Sequence, residues 1–171
     1  MIALDNALTR LSASADAIAA LAHNVSDVQA HWKPTPEEWS ILEVICHLYD
    51  EEREDFRTRV DLSLHKPDAD WPPINPVGWV TERGYNQREP GPSLDAFLQE
   101  RQNSLRWLAG LQNPDWSLTH YHPQFAPMTA GEVLAAWVAH DHLHIRQLNQ
   151  LHWQYLSRDA PPISLEYAGG W

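Results

Sequence analysis

Hydrophobic and polar positions alternate with helical spacing in four separate stretches of the chain. The first stretch, residues 4–24, predicts an amphipathic helix whose apolar stripe holds Leu4, Leu8, Leu11, Ala15, Ile18 and Leu21. The proline-containing residues 33–38 break this pattern. A second helix is then predicted from a cap at or near Ser40 to about Leu64. Its stripe holds Ile41, Val44, Ile45, Leu48, Glu52, Phe56 and Val60.

A long connection separates the second helix from the third. Residues 65–92 contain six of the 13 prolines and three glycines, which predicts a loop rather than a helix. A third helix is predicted from Ser93 to about Leu111. Thr129 and Glu132 form a Thr-x-x-Glu capping box, which predicts a fourth helix from there to about residue 156. Residues 157–171 are predicted to be an irregular tail.

Four amphipathic helices with one long crossover, between the second and the third, predict an all-α four-helix bundle. No stretch of the sequence has a competing strand pattern. With 171 residues, 43% of them hydrophobic, the chain is long enough for one domain, residues 1–171, with a substantial core.

Charge and composition limit the classes of partner that we expect this protein to bind. A net charge of -11 argues against nucleic-acid binding, which requires a basic surface. The N-terminus lacks the pattern of a signal peptide, and no apolar run reaches the roughly 18 residues of a membrane helix. We therefore expect a soluble cytoplasmic protein with a small-molecule substrate and no membrane partner; a homodimer stays open. The single cysteine, Cys46, is expected to be a packed small residue, so any metal must be held by nitrogen and oxygen.

Histidines supply the candidate chemistry. His140 and His144 lie four residues apart, so both project from the apolar side of the fourth helix, whereas His142 points the other way. Buried imidazoles must be satisfied by hydrogen bonds, water or an ion. His47, at the margin of the second helix's stripe, would complete a three-nitrogen site with an open position, as in catalytic zinc sites. Hydrogen-bonded core histidines are the alternative at this point.

Other residues give weaker signals. Neither Glu-x-x-His nor His-Glu-x-x-His occurs, which disfavours a di-iron carboxylate bundle and a zincin. Glu51, one turn after His47, is a candidate general base, although a solvated charge is the ordinary expectation. Asp141 is a candidate to orient a ligand or to form an interhelical hydrogen bond. His120 and His122 are expected to be exposed. Three crossover aromatics are candidates to line a pocket over the site: Trp71, Trp79 and Tyr85.

Two motifs together resemble a known family. The segment 39–48, Trp-Ser-Ile-Leu-Glu-Val-Ile-Cys-His-Leu, is followed by Asp50 and Glu52, and about ninety residues later by His-Asp-x-x-His-x-x-Gln at 140–147. This arrangement resembles the DinB/YfiT-like superfamily over nearly the whole chain. The resemblance implies a four-helix bundle with its long crossover after the second helix. It also implies a divalent ion, commonly zinc or nickel, bound by His47, His140 and His144.

The resemblance also implies a class of reactions. The superfamily includes thiol-dependent S-transferases and isomerases that use bacillithiol, mycothiol or glutathione. We therefore expect a metal-dependent enzyme in which a small thiol attacks an electrophile. Metal-dependent hydrolysis, a non-enzymatic bundle stapled by the metal, and a metal-free packing or dimerisation module are the alternatives.

Overall fold

The computed structural model describes residues 3–122 and 126–170, most of which are helical. Its α-helices are α1 (Leu4–Ala22), α2 (Asp27–His31), α3 (Ile41–Asp50), α4 (Arg57–His65), α5 (Pro76–Glu82), α6 (Pro90–Gly110) and α7 (Ala130–Asp159). A π-helical turn, Glu51–Phe56, joins α3 directly to α4. Short 3-10 turns lie at Tyr85–Gln87 and Glu166–Ala168. Two strands of two residues each, β1 (Thr119–His120) and β2 (Met128–Thr129), pair antiparallel.

Four long helical rods form the bundle: α1, the continuous α3–π–α4 rod, α6 and α7. Helix α1 packs against α6 and α7, α3 packs against α6, and α3 and α4 both contact α7. The predicted all-α four-helix bundle, with its crossover between the second and third rods, is therefore confirmed. No helix in the described part of the chain is long and apolar enough to cross a membrane.

The crossover contains more regular structure than its prolines suggested. Asn75 caps α5 by accepting a hydrogen bond from the Gly78 amide, and Pro76 occupies the first turn. Proline is favourable there because the first amides of a helix have no intrahelical partner. For the same reason α6 begins at Pro90, three residues before the predicted start at Ser93. Pro76 and Pro90 therefore begin helices, although the prolines of this segment predict a loop.

The two rods that carry the candidate histidines begin at the predicted caps. Ser40 and Glu43 form a reciprocal capping box at the start of α3. Thr129 and Glu132 form the second one at the start of α7, which continues to Asp159, slightly beyond the predicted end. Each box satisfies otherwise unpaired backbone amides, and it fixes the residue at which the helix starts. The phase of every later side chain on that helix follows from this start.

The crossover covers the outer side of α3. Leu42 and Cys46 of α3 form a small apolar cluster with Trp79, Val80 and Tyr85. Cys46 is 1% exposed, and burial raises the pKa of its thiol. The prediction that Cys46 is a packed residue is confirmed, and its thiol stays protonated at neutral pH.

A buried arginine lies at the centre of the bundle. Arg101 of α6 is 1% exposed, and its Nε and Nη2 donate to the Glu52 carboxylate at 2.8 Å each. Its Nη1 and Nη2 donate to Asp141 at 2.6 and 2.8 Å, and Nη1 also donates to the Leu11 carbonyl at 2.8 Å. The Trp137 indole donates to Glu52 at 3.0 Å. This network therefore connects all four rods.

Apolar clusters fill the bundle on either side of the network. One contains Ala7, Leu11, Val60, Leu64, Trp71, Leu108, Ala130, Val133, Leu134, Trp137 and Val138. The other contains Ile18, Ile41, Val44, Ile45, Leu48, Leu94, Phe97, Leu148 and Leu151. On their rods Glu52, Arg101 and Asp141 fall between members of the two clusters, so the charged groups are sealed from solvent on both sides.

We expect Arg101→Met to lower the free energy of unfolding by about 3–5 kcal/mol, because it leaves two carboxylates buried without their cation. Urea denaturation monitored by circular dichroism measures the change. Arg106→Met is the matched control, because Arg106 is an exposed residue of the same helix whose guanidinium donates to Asn103. It should change stability by less than about 0.5 kcal/mol. Equal effects of the two substitutions would contradict a structural role for the buried network.

Candidate metal centre

Three imidazoles from two helices meet inside the bundle. His47 lies in the last turn of α3, and His140 and His144 lie one turn apart near the middle of α7. His140 Nε2 lies 3.3 Å from His47 Nε2 and 3.1 Å from His144 Nε2. All three ligand-capable atoms lie within 4.8 Å of one another. The structure thus brings together the three residues that the sequence selected, and metal binding by them stays a prediction.

The spacing of these nitrogens suits a metal ion. Zinc holds imidazole nitrogens at about 2.0–2.1 Å, so two ligands of a tetrahedral site lie about 3.3 Å apart. The His47–His140 and His140–His144 distances of 3.3 and 3.1 Å match this value, and the third pair lies within 4.8 Å. Across residues 3–122 and 126–170, no fourth histidine, cysteine, aspartate or glutamate joins the group. The donor set therefore fits a divalent ion with one position open.

A glutamine sets the orientation of one imidazole. His144 Nδ1 lies 2.8 Å from the side-chain oxygen of Gln147, one turn further along α7. An amide oxygen only accepts, so Nδ1 carries the proton of the neutral ring and Nε2 offers a lone pair to the site. Gln147 is part of the His-Asp-x-x-His-x-x-Gln motif, and its three-residue spacing from His144 was the signal that could have identified this role.

Burial keeps all three imidazoles neutral. Burial first, and then the charges that His144 and His140 would carry, lower the pKa of His47 to about 2. Burial, then His144 and Arg101, lower the pKa of His140 to about 3. Burial also lowers the pKa of His144. Neutral imidazoles are the form that binds metals, so the site has its lone pairs available at neutral pH.

Two aromatic side chains enclose the histidines. The Trp39 ring lies 4.8 Å from the His47 ring, centre to centre, and stacks parallel to the His144 ring at 6.3 Å. The Phe56 ring lies 4.9 Å from the His140 ring. His140 is the only one of the three imidazoles that is partly exposed. The centre is therefore enclosed on the sides of Trp39 and Phe56.

The aromatic residues of the crossover do not line a pocket over the three histidines. Trp79 and Tyr85 pack on the outer side of α3. Trp71 stacks on His120 at 4.2 Å and lies under the Arg59 guanidinium. His120, predicted to be exposed, is only 3% exposed. The prediction for the aromatic residues and the predicted exposure of His120 were both wrong. Their contacts join segments far apart in sequence, and helical periodicity gives no information about such contacts.

Two neighbours of the histidines on α7, Asp141 and His142, have different surroundings. His142 is exposed, as predicted from its helical phase. Asp141 makes the interhelical hydrogen bonds to Arg101, and in the described part of the chain it hydrogen-bonds to no imidazole. Of its two predicted roles, the interhelical bond is therefore correct and orientation of a ligand is wrong.

Glu51 is not the solvated charge that was the ordinary expectation. It is 4% exposed, and it pairs with the buried carboxyl group of Asp55, which contacts the Arg59 guanidinium at 2.5 Å. Burial first, and then the charge of Asp55, raise the pKa of Glu51 to about 9. A carboxyl group that holds its proton at neutral pH cannot act as a general base. The structure therefore argues against the base role considered for Glu51.

Glu51→Gln should remove a destabilising effect that grows with pH. The unfolded chain releases the Glu51 proton above about pH 4.3, whereas the folded protein holds it until about pH 9. Since the folded state binds more protons in this range, the free energy of unfolding falls as pH rises, by at most about 1.4 kcal/mol per pH unit. The variant should lose this slope and gain stability over wild type between pH 6 and 9.

Denaturation series at several pH values measure this slope for both proteins. Glu166→Gln, at an exposed position in the C-terminal tail, is the control and should keep the wild-type slope. An unchanged slope in Glu51→Gln would mean that Glu51 is ionised in the folded protein.

Comparison with solved structures supports the fold. The chain is similar to YfiT from Bacillus subtilis, described as "a probable metal-dependent hydrolase with an unusual four-helix bundle topology". The two align with a TM-score of 0.79 over 91% of this chain and 90% of that chain, and 20% of the residues are identical. At this identity the likeness shows the fold alone. A search of curated protein sequences gives no match.

Comparison with family models identifies the family. The model of the DinB superfamily matches residues 10–148, a range that contains the three histidines and the whole crossover. This match covers well over half of the chain. The protein belongs to the DinB superfamily.

Proposed function

We propose that this protein is a divalent-metal-dependent enzyme that transfers a small-molecule thiol to an electrophile. The observation that carries the proposal is the group of three histidine nitrogens within 4.8 Å of one another, with no fourth histidine, cysteine, aspartate or glutamate beside them among the described residues. Structural zinc sites normally have four protein ligands, whereas catalytic sites keep one position for water or substrate. The donor set thus favours catalysis over a purely structural ion.

Each residue of the centre has a definite task in this proposal. His47, His140 and His144 would hold the ion, zinc or nickel being the expected ones. When bound, such an ion supplies a Lewis acid that lowers the pKa of a thiol or a water molecule. Gln147 keeps the His144 ring in the tautomer whose Nε2 can bind. Trp39 and Phe56 exclude water from the sides of the centre that they cover.

The thiol must come from a second molecule. Cys46 is the only cysteine, it is buried, and its pKa is raised. In the proposed reaction the sulfur of a low-molecular-weight thiol forms a bond with the electrophilic carbon. The leaving group departs with its bonding electron pair, and the thiol proton passes to solvent. Bacillithiol, mycothiol and glutathione are the thiols that the family resemblance suggests.

Metal-dependent hydrolysis is the second candidate. The description of YfiT as a metal-dependent hydrolase favours it, because that protein shares this fold. The same three histidines would serve, and water would take the place of the thiol. A metal that only staples α3 to α7, without catalysis, is the outcome to expect if neither reaction occurs.

His144→Ala should lose most of the bound metal, whereas His142→Ala should retain it, because only His144 points into the centre. Elemental analysis of protein purified without a histidine tag measures the metal content. Equal metal loss from both variants would contradict the three-histidine site.

Chelation should also lower the melting temperature of wild type, because an ion at a hundredfold excess over its Kd stabilises the folded state by about 2.7 kcal/mol.

The reaction class can be tested with cobalt-loaded protein. Glutathione or cysteine should change the visible spectrum of the cobalt and should react with 1-chloro-2,4-dinitrobenzene faster in the presence of wild type than of His140→Ala. Hydrolysis of model esters and amides without any response to thiols would favour the hydrolase. A protein that binds metal but shows neither activity would favour the stapled, non-enzymatic bundle.

A further inference from the structure

A buried pair of carboxyl groups lies on the helical rod that carries His47, starting one turn beyond that residue. Glu51 and Asp55 are 4% and 5% exposed, and their side chains hydrogen-bond to each other. Asp55 also contacts the Arg59 guanidinium at 2.5 Å. No N–H or hydroxyl donor of the described residues bonds to the buried Glu51 Oε1. Glu51 is therefore a buried polar side chain with bonding capacity to spare.

The π-helical turn puts Glu51 on the side of the rod that faces the metal centre. His47 and Glu51 are four residues apart, so they share a side of the helix. Glu51 and Phe56 also share a side, because residues five apart align in a π-turn, whereas an uninterrupted α-helix would separate them by about 140°. His47 Nε2 lies 3.3 Å from His140 Nε2, and the Phe56 ring lies 4.9 Å from the His140 ring. Glu51 thus lies between two residues that contact the same histidine of the centre.

Glu51 is the member of the carboxyl pair that carries the proton. Two carboxyl groups in hydrogen-bond contact must share a proton, because two carboxylates offer only acceptors. Arg59 contacts Asp55 and stabilises its ionised form, which leaves the proton on Glu51. Burial first, and then the charge of Asp55, raise the pKa of Glu51 to about 9. A carboxyl group that is neutral at pH 7 can donate a hydrogen bond, which a carboxylate cannot.

We propose that Glu51 donates its proton to an oxygen of the electrophile on which negative charge develops during the reaction at the metal centre. A donor placed where charge develops stabilises the transition state, and a neutral carboxylic acid can fill this role. Asp55 keeps its contact with Arg59, so the proton is free to move to a substrate oxygen that gains charge.

This role of Glu51 assigns a class of substrate. It favours electrophiles that are activated by a carbonyl group over alkyl halides, in which the departing halide takes the charge. The inference rests on the proposed function only in requiring a nucleophile, thiol or water, at the metal centre.

The atoms and electrons balance for a thiol and an α,β-unsaturated carbonyl compound. The sulfur forms a bond with the β carbon, the C=C electron pair shifts toward the carbonyl carbon, and the C=O pair moves onto the oxygen. This oxygen takes the Glu51 proton, the thiol proton passes to solvent, and a solvent proton restores Glu51. The resulting enol then exchanges its O–H proton for one on the α carbon through solvent.

The ratio of two rates tests the role of Glu51. Zinc-loaded protein with glutathione is offered N-ethylmaleimide, which is activated by carbonyl groups, or benzyl chloride, which has none. Glu51→Leu removes the donor and should lower the ratio of the N-ethylmaleimide rate to the benzyl chloride rate about 100-fold, the usual effect of losing one such donor. Glu51→Gln keeps an N–H donor and should retain most of the ratio. The control, Glu166→Leu, changes an exposed residue of the C-terminal tail and should keep the wild-type ratio.

Equal losses with both electrophiles would mean that Glu51 acts only on the fold or on metal binding, and would overturn the inference. Infrared spectroscopy gives a readout that does not depend on activity, because a protonated carboxyl group has a C=O stretching band that a carboxylate lacks. Zinc-loaded wild type should show this band at neutral pH, and Glu51→Gln should lack it. Identical spectra of the two proteins in this region would also overturn the inference.

Hydrolysis of 4-nitrophenyl acetate separates this inference from the proposed function. If Glu51→Leu, but not Glu51→Gln, slows this hydrolysis while no thiol reacts, the role of Glu51 stands and the S-transfer proposal falls. If thiols react with both electrophiles and Glu51→Leu leaves the rate ratio unchanged, the role of Glu51 is refuted and the S-transfer proposal stands. If zinc-loaded wild type accelerates no reaction of a carbonyl compound, both fall.

Discussion

The bonding of Arg101 to Glu52 and Asp141 is the interaction on which the rest of the structure depends. It fixes the rotation of both helical rods that carry the metal centre, because Asp141 directly follows His140 and Glu52 lies just beyond His47. A slip of one residue would rotate either helix by about 100°. That slip would break the network and turn an imidazole away from its partners. Burying these charges without their partners is costly, so packing arrangements that break the network are strongly disfavoured.

Burial and the hydrogen bond to one side-chain amide group put the three histidines in a form that suits a metal ion. His140 Nε2 has only one proton or one lone pair, so it cannot satisfy both neighbouring imidazole nitrogens, and burial prevents protonation of the rings. A divalent ion removes that cost by accepting all three lone pairs. Gln147 already holds His144 in the required tautomer, so little reorganisation is needed on binding. The fold therefore favours metal binding by holding its ligands in an arrangement that suits an ion.

Local signals predicted the fold and the histidine cluster well, and contacts between distant segments explain what was missed. The capping boxes at Ser40 and Thr129 set the phase of both helices, which is why the shared direction of His140 and His144 could be read from spacing. The burial of Glu51 was not predictable in this way. It depends on a π-helical turn and on packing against other rods, neither of which has a periodic signature. Trp39 was missed similarly, since it lies outside the helix yet covers two of the histidines.

The electronic character of the centre follows from which neighbours are charged. In the described residues, no carboxylate hydrogen-bonds to any of the three imidazoles: His144 has the Gln147 amide, and His47 Nδ1 has no partner. A carboxylate there would make the imidazole a stronger donor and reduce the positive charge felt by a fourth ligand. The one nearby carboxylate on α7, Asp141, is instead neutralised by Arg101. Neutral ligands without a carboxylate partner leave a bound dication its full charge, which is the condition that most lowers the pKa of a thiol or water at the open position.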